Sequence, residues 1–175
     1  MAGNKRLGAL LSGGDRRSLG RAAEVLELVR AQPERVEELV QLLWDSDSVV
    51  RMRAADCLEK LSLEPEFELR EYKAELLGLM AESSQQEVRW HLALMAPRLQ
   101  LSAAEIRRAA AILEGYLEDH SSIVKTCAMQ GLWELSLQNA GLRRQVLELV
   151  RLAARDGTAA MRARARNLLA ESQAD

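Results

Sequence analysis

The side chains that most often carry catalysis or bind metals are scarce in this sequence and widely separated. The two histidines, His91 and His120, belong to different predicted helices and lack the spacing of a metal-binding HExxH helix. The two cysteines, Cys57 and Cys127, lie far apart in the chain and form no CxxC pair, so neither a disulfide framework nor a zinc site is expected. We therefore predict that the protein is not an enzyme and has no catalytic residues, metal ions or cofactors.

The pair Gly13-Gly14, within the stretch LSGGDRRS, is the feature closest to a phosphate-binding loop. A P-loop requires a lysine followed by Ser or Thr at a fixed offset after a strand, and both the lysine and the strand are absent here. We interpret the segment as a tight turn that ends in a helix N-cap at Asp15.

The composition favours an all-α protein. The 175 residues are 48% hydrophobic and 29% charged, and aromatic residues make up only 3%. Leu, Glu, Arg and Ala fill most positions, and these residues lose little conformational freedom in a helix. No segment resembles a signal peptide, and no stretch reaches the roughly 20 apolar residues needed to cross a bilayer. We expect a soluble, cytoplasmic protein without membrane association.

A pattern of apolar and basic residues recurs along the chain. Val50-Arg51 is followed at nearly equal intervals by Val88-Arg89, Val124-Lys125 and Met161-Arg162. An apolar triplet precedes each pair at a nearly constant distance, and the same triplet occurs once more near the N-terminus as Leu7, Leu10 and Leu11. A fixed period in the range of roughly 20–50 residues is typical of repeat proteins.

The pattern of each repeat predicts two antiparallel helices, A and B, and the period predicts five such pairs within one domain. The approximate units are 1–31, 32–63, 64–100, 101–139 and 140–175. Helix B is expected to begin after an N-cap at Asp15, Asp47, Ser121 or Thr158, with Gln85 as a weak exception.

One face of each helix B is apolar, and in the second unit it comprises Val50, Ala54, Leu58 and Leu61. A helix pair with a broad apolar face must stack on its neighbours, so we predict an α-α superhelix, a short solenoid. Arg166 replaces the small or apolar residue expected between stacked pairs, which favours a polar C-terminal cap. A fragment of a longer solenoid remains the alternative.

These residues resemble the HEAT repeat family, whose units carry an acidic residue near the turn between helices and a Val-Arg or Val-Lys pair at the start of helix B. The matching acids are Asp45, Asp119 and Asp156, and the matching bases are Arg51, Arg89, Lys125 and Arg162. Ser83 replaces the acid in the third unit, and the first unit has Gly13 and Leu19 at the two positions. The resemblance implies that the charged residues form structural ladders between neighbouring units.

In HEAT-like solenoids the B helices line the concave surface that binds partners, so the remaining face of helix B is the candidate site. Large apolar residues are predicted on that face in three neighbouring units: Met52, Trp90, Leu94, Pro97 and Trp133. Exposed patches of this kind are often contact sites, and Trp is enriched in binding hot spots. We predict a groove for a peptide or helix of a partner protein; the alternative is that Trp90 and Trp133 turn sideways and fill space between B helices.

The sequence therefore favours a non-catalytic protein-interaction scaffold, with a monomer preferred and the partner unknown. The alternative is a nucleic-acid-binding or DNA-repair protein, because some proteins with HEAT-like repeats act on DNA. That alternative needs a basic groove, whereas the groove-facing positions hold five basic residues against six acidic ones. The basic residues are Arg21, Arg53, Lys60, Arg98 and Arg164. A third possibility, an accessory subunit that holds a cofactor or chromophore on a client protein, has no identifiable ligand site.

Overall fold

A computed structural model describes residues 6–15 and 17–172, and this part of the chain is helical without any strand. The predicted all-α class is confirmed. Ten α-helices follow one another: α1 (Leu7–Leu11), α2 (Ala22–Ala31), α3 (Val36–Gln41), α4 (Ser48–Leu61), α5 (Lys73–Glu82), α6 (Gln86–Met95), α7 (Ala103–Tyr116), α8 (Ser122–Gln138), α9 (Ala140–Asp156) and α10 (Ala159–Glu171). Four short 3₁₀ helices cover Pro33–Arg35, Leu42–Trp44, Leu69–Tyr72 and Ala96–Arg98.

The chain divides into two compact units, Met1–Tyr72 and Lys73–Asp175, called here the N-terminal and C-terminal units. Within the N-terminal unit, α1 packs against α3, and α2 packs against α4. Within the C-terminal unit, α5 packs against α7, while α6 packs against α8 and α8 against α10. In both units, therefore, alternate helices contact each other, as they do when helix pairs are stacked.

The helix starts follow the predicted caps in three of four places. The side chains of Asp47, Ser121 and Thr158 accept hydrogen bonds from backbone N–H groups in the first turns of α4, α8 and α10, and Gln85 makes no such bond before α6. The prediction for Asp15 is wrong. Its carboxylate accepts the N–H of Arg17 within a turn, and α2 begins only at Ala22.

The predicted core face of α4 is correct, because Val50, Ala54, Leu58 and Leu61 are all buried. Burial on this helix is broader than an amphipathic pattern predicts. All residues of the stretch 52–58 are buried, including the charged side chains of Arg53 and Asp56. Helix α4 therefore has no continuous solvent-facing side along this stretch.

The C-terminal unit is held together by an unusually close approach of α6 and α8. A Cβ atom placed on Gly131 of α8 would lie 2.4 Å from the carbonyl oxygen of Ala93 on α6 and 3.0 Å from Leu113 Cδ1. Only glycine permits this separation, because real Cβ atoms do not approach an oxygen so closely. The local packing explains why a glycine stands in the middle of the long helix α8.

Candidate functional site

The arginines at the start of the B helices hold the turns that precede them. Arg51 donates from Nη1 to the carbonyl oxygens of Asp45 at 2.6 Å and Ser46 at 3.1 Å. Arg89 and Arg162 reach back in the same way, Arg89 Nε to the Ser83 carbonyl at 2.6 Å and Arg162 Nη1 to the Gly157 carbonyl at 2.7 Å. The last carbonyl groups before a turn lack helical partners, so the guanidinium satisfies them and fixes the turn.

The acidic positions of the same turns act as acceptors for the next backbone amides. Asp45 Oδ1 accepts the N–H of Asp47, and Asp119 Oδ1 accepts the N–H of Ser121, each at 2.8 Å. Ser83 does the same with its hydroxyl oxygen, 3.3 Å from the N atom of Gln85. The serine that departs from the acidic pattern therefore keeps the local role of the acid but brings no charge.

One ion pair between predicted ladder residues joins two successive helix pairs. Arg89 Nη1, at the start of α6, lies 2.6 Å from Asp119 Oδ2, after α7, and the Arg89 guanidinium lies 5.0 Å from the centre of the Tyr116 ring. The Tyr116 hydroxyl donates to the Met80 carbonyl, and burial raises the pKa of Tyr116 to about 12. Arg89 thus fills a slot between a carbonyl, a carboxylate and an aromatic face.

Lys125 and Asp156, two further predicted ladder residues, do not form such a pair. In the described residues Lys125 takes part in no ion pair, and the exposed carboxylate of Asp156 lies 3.6 Å from Arg155, its neighbour in sequence. Among the predicted ladder residues, Arg89 and Asp119 pair with each other between successive helix pairs. Arg51, Asp45 and Arg162 act within their own turns.

We expect Asp119→Asn to lower the stability of the C-terminal unit by about 1–3 kcal/mol at neutral pH, because it removes a charge-assisted hydrogen bond at a buried carboxylate. Burial alone would raise the pKa of Asp119, but hydrogen bonds from Ser121 and Arg89 outweigh it and hold the pKa below its usual value. The stabilising effect is therefore present above the unfolded pKa of about 3.9. It is lost as the pH falls through the lower folded pKa.

The measurement is the difference in urea unfolding free energy between wild type and Asp119→Asn from neutral to acidic pH. Asp156→Asn is the matched control, because the Asp156 side chain is 66% exposed. A difference that does not shrink in acid would show that the charge of Asp119 contributes nothing, and an equal loss in the control would show that the effect is not local.

Three of the five predicted groove residues are buried, which corrects the predicted exposed groove. Met52 and Trp133 are each only 4% exposed, and Pro97 is also buried. The Arg143 guanidinium of α9 covers the Trp133 ring at 4.4 Å, and the Pro97 carbonyl accepts a hydrogen bond from Gln138 at the end of α8. Met52 belongs to the buried stretch of α4. Trp133 therefore fills space between helices, as the alternative interpretation held.

Trp90 and Leu94 remain as the accessible part of the predicted site. Both are half-buried, and they lie one turn apart on α6, so their side chains share one face of the helix. The Trp90 ring lies against the ring of His91, with centroids 5.7 Å apart and planes tilted by 56°. The pair of Trp90 and Leu94 forms a short apolar strip, called here the Trp90–Leu94 strip.

A third tryptophan, Trp44, lies at a surface position outside the predicted site. Trp44 ends the 3₁₀ helix before the turn that Arg51 holds, and its residue surface is 48% exposed. Because Trp44 lies before helix α4 rather than on it, the pattern of the B helices does not predict its exposure. A lone Trp directly before the sequence Asp-Ser-Asp, a strong turn signal, was the available clue.

Arg53 also lies elsewhere than predicted. It was counted among the basic residues of the groove, yet it is only 1% exposed. Its guanidinium donates to four backbone carbonyls of one loop: Leu11 and Gly13 at 2.7 Å, Ser18 at 3.0 Å and Asp15 at 3.2 Å. These acceptors surround the planar guanidinium, which presents five N–H donors. The loop and Arg53 together form a closed polar cluster.

Glycines allow the loop to wrap around this guanidinium. Gly13, Gly14 and Gly20 have φ of 76°, 76° and 53°, a region that other residues rarely adopt. A Cβ on Gly20 would lie 2.8 Å from Arg53 Cζ. A phosphate cradle presents N–H groups to an anion, whereas this loop presents carbonyl oxygens to a cation. The interpretation of Gly13-Gly14 as a turn rather than a phosphate site thus has a structural basis.

The reactive side chains of the described residues do not converge. Burial, followed by the charge of Asp56, raises the pKa of the Cys57 thiol to about 12, so the thiol is protonated and a poor nucleophile. No group of three or more His, Cys, Asp or Glu side chains that could hold a metal occurs in residues 6–15 and 17–172. Within the same residues, no helix combines the length and apolar character that a membrane span requires.

The described chain is thus an all-α protein. No model of a known protein family matches the sequence, and no curated protein matches it. Among solved structures, it is similar to a crystal structure titled as an engineered protein, a target of the Northeast Structural Genomics Consortium. The two chains share 19% sequence identity with a TM-score of 0.64, over 96% of this chain and 78% of the other. This likeness concerns the fold alone.

Proposed function

We propose that the chain is a short α-solenoid of HEAT-type helix pairs that serves as a non-catalytic protein-interaction scaffold. The packing of alternate helices within each unit supports the solenoid, because stacked pairs bring every second helix together. The three arginines that hold their own turns, Arg51, Arg89 and Arg162, support the HEAT assignment. The Arg89–Asp119 pair supports it further, since it joins successive pairs as a ladder does.

The Trp90–Leu94 strip is the observation that carries the proposed function. A partly exposed Trp on the second helix of a pair offers a large, rigid contact surface with little conformational entropy to lose on binding. We propose that the strip receives an apolar helix or peptide of a partner protein. Nucleic-acid binding is less well supported, because Arg53 makes its hydrogen bonds internally and adds no charge to a binding surface.

The test is affinity capture from native cells with the wild type and with Trp90→Ala/Leu94→Ala. We expect one specific partner to be lost from the variant, and its purified complex to weaken by at least about 2 kcal/mol, roughly thirtyfold in Kd. The matched control is Leu137→Ala/Leu152→Ala, which removes two leucines that are 62% and 52% exposed in the same unit.

Circular dichroism must show that both double variants keep the helical fold of the wild type. Equal capture of all partners by the wild type and Trp90→Ala/Leu94→Ala would exclude the strip as the binding site. Loss of the same partner from the control would assign binding to apolar surface in general.

A further inference from the structure

A pocket in the N-terminal unit lies between the start of α3 and the segment that follows α4. Pro33, Glu34 and Val36 line one side, and residues 66–69 with Glu71 and Tyr72 line the other. Its volume is about 310 Å³. Ligand pockets usually measure about 300–1,000 Å³, so this one has room for a single long side chain.

The segment Glu66–Phe67–Glu68–Leu69 gives the pocket an apolar floor and an acidic rim. Glu66 and Glu68 are exposed, whereas Phe67 is 9% exposed and Leu69 only 3%. The exposed carboxylates therefore border the buried apolar side chains within this short segment. Val36, 8% exposed, adds to the apolar floor.

The rim carries four carboxylates that have no cationic partner. Glu34, Glu66, Glu68 and Glu71 are all exposed and form no ion pair with any described residue. No lysine or arginine lines the pocket. Two other glutamates do have cationic partners: Glu64 lies 2.6 Å from Arg30, and Glu105 lies 2.7 Å from Lys73, which lowers the pKa of Glu105 to about 2. The rim therefore brings to one pocket four carboxylates that form no ion pair within the described part of the chain.

We propose that this acidic pocket is a docking site for a basic segment of a partner protein. An arginine or lysine of that segment lays its aliphatic stem on Phe67 and Val36 and places its charge among the four glutamates. Long basic side chains combine these two properties, an apolar stem and a charged end. Complementary charge also speeds the encounter and excludes wrongly charged partners.

The composition of the pocket favours a protein segment over other ligands. A metal ion would gain nothing from an apolar floor, and the four carboxylates do not form a metal-binding group. A nucleic acid would be repelled by four unpaired carboxylates. A basic segment with apolar neighbours uses both the floor and the rim.

The acidic pocket is independent of the Trp90–Leu94 strip, because the two lie in different compact units and use different chemistry. Failure of the double variant Trp90→Ala/Leu94→Ala to lose a partner would leave this inference unchanged. A protein that uses both sites would contact two segments of its partners, one apolar and one basic.

The test measures binding of a fluorescein-labelled heptapeptide of alternating arginine and leucine to the full chain by fluorescence anisotropy at low salt. We expect saturable binding that weakens as salt is added. Glu66→Gln/Glu68→Gln should weaken it by about five- to tenfold, since exposed charge pairs each contribute modestly to binding. A peptide of alternating arginine and glycine should bind more weakly, because it lacks side chains for the floor.

Glu118→Gln/Glu148→Gln is the matched control, because it removes two glutamates that lie in the C-terminal unit, outside the pocket, and changes the net charge equally. It should bind the arginine-leucine peptide like the wild type. Backbone amide shifts of isotope-labelled protein should change at residues 66–72. Absence of binding, equal weakening in the control, or shift changes confined to other residues would each overturn the proposal.

Discussion

Replacement of Arg53 by methionine is expected to destabilise the N-terminal unit by about 1–3 kcal/mol, the cost of leaving a buried polar group without its hydrogen-bond partner. Methionine fills much of the arginine volume but donates no hydrogen bond. The carbonyls of Leu11, Gly13, Asp15 and Ser18 would then lose their donor together. The bond to the Leu11 carbonyl is buried and its loss is not compensated by water, whereas water can replace the donor at the three partly buried carbonyls.

The unfolding of the N-terminal unit can be followed on its own, because Trp44 is its single tryptophan while Trp90 and Trp133 belong to the C-terminal unit. In a Trp90→Phe/Trp133→Phe background, the fluorescence of Trp44 during urea denaturation gives the free energy of unfolding of this unit. Limited proteolysis should also cut the loop of residues 12–20 faster in Arg53→Met.

Two further variants show whether the stability lost in Arg53→Met depends on the hydrogen-bond geometry of the guanidinium or on its positive charge. Arg53→Lys keeps the positive charge but offers three donors from one nitrogen, so it should recover only part of the lost stability. Arg164→Ala removes an exposed arginine from α10 and should leave the unfolding of the N-terminal unit unchanged. If Arg53→Met were as stable as the wild type, the carbonyls of the loop would not depend on the guanidinium.

The repeated pattern allowed the helices and their turns to be predicted because both are set by local chemistry. The apolar period of Val50, Ala54, Leu58 and Leu61 correctly gave the buried face of α4. The caps Asp47, Ser121 and Thr158 were predictable because an N-cap side chain binds amides only two or three positions away. Features that depend on neighbours within one turn are visible in the sequence.

The candidate groove could not be predicted from the same pattern because side-chain exposure depends on distant segments. Arg53 occupies a position on α4 that an isolated helix would expose, but its guanidinium is bound by the backbone carbonyls of Leu11 and Ser18, which are distant in the chain. Trp133 is covered by Arg143 from the next helix. The position of a residue around its own helix does not show whether a segment distant in the chain buries its side chain.

The acidic pocket could not be predicted from the sequence for a different reason. Its acidic and apolar residues alternate at period two in Glu66–Phe67–Glu68–Leu69, a pattern visible in the sequence. The helical period predicts no function for this stretch, which lies at the start of the predicted unit 64–100. The opposite wall, formed by residues 33–36, is distant in the chain, so the pocket itself emerges only from tertiary structure.

Replacement of Gly131 by alanine is expected to destabilise the C-terminal unit, because overpacking of a tight helix contact typically costs about 1–3 kcal/mol. The added methyl would lie 2.4 Å from the Ala93 carbonyl oxygen, and backbone atoms cannot turn aside as a flexible side chain can. The helices α6 and α8 would therefore have to separate. The higher helix propensity of alanine offsets at most about 1 kcal/mol of that loss.

Gly78→Ala is the matched control because Gly78 also lies within a helix, α5 of the same unit, but has no atom within 4 Å of an added Cβ. Alanine should stabilise the unit there by about 0.5–1 kcal/mol, since only the propensity difference acts. Urea denaturation followed by Trp133 fluorescence, in a Trp44→Phe/Trp90→Phe background, measures both variants. Opposite signs at the two glycines would identify the α6–α8 contact as the cause, whereas stabilisation at both would show that α8 can shift away from Ala93 without loss.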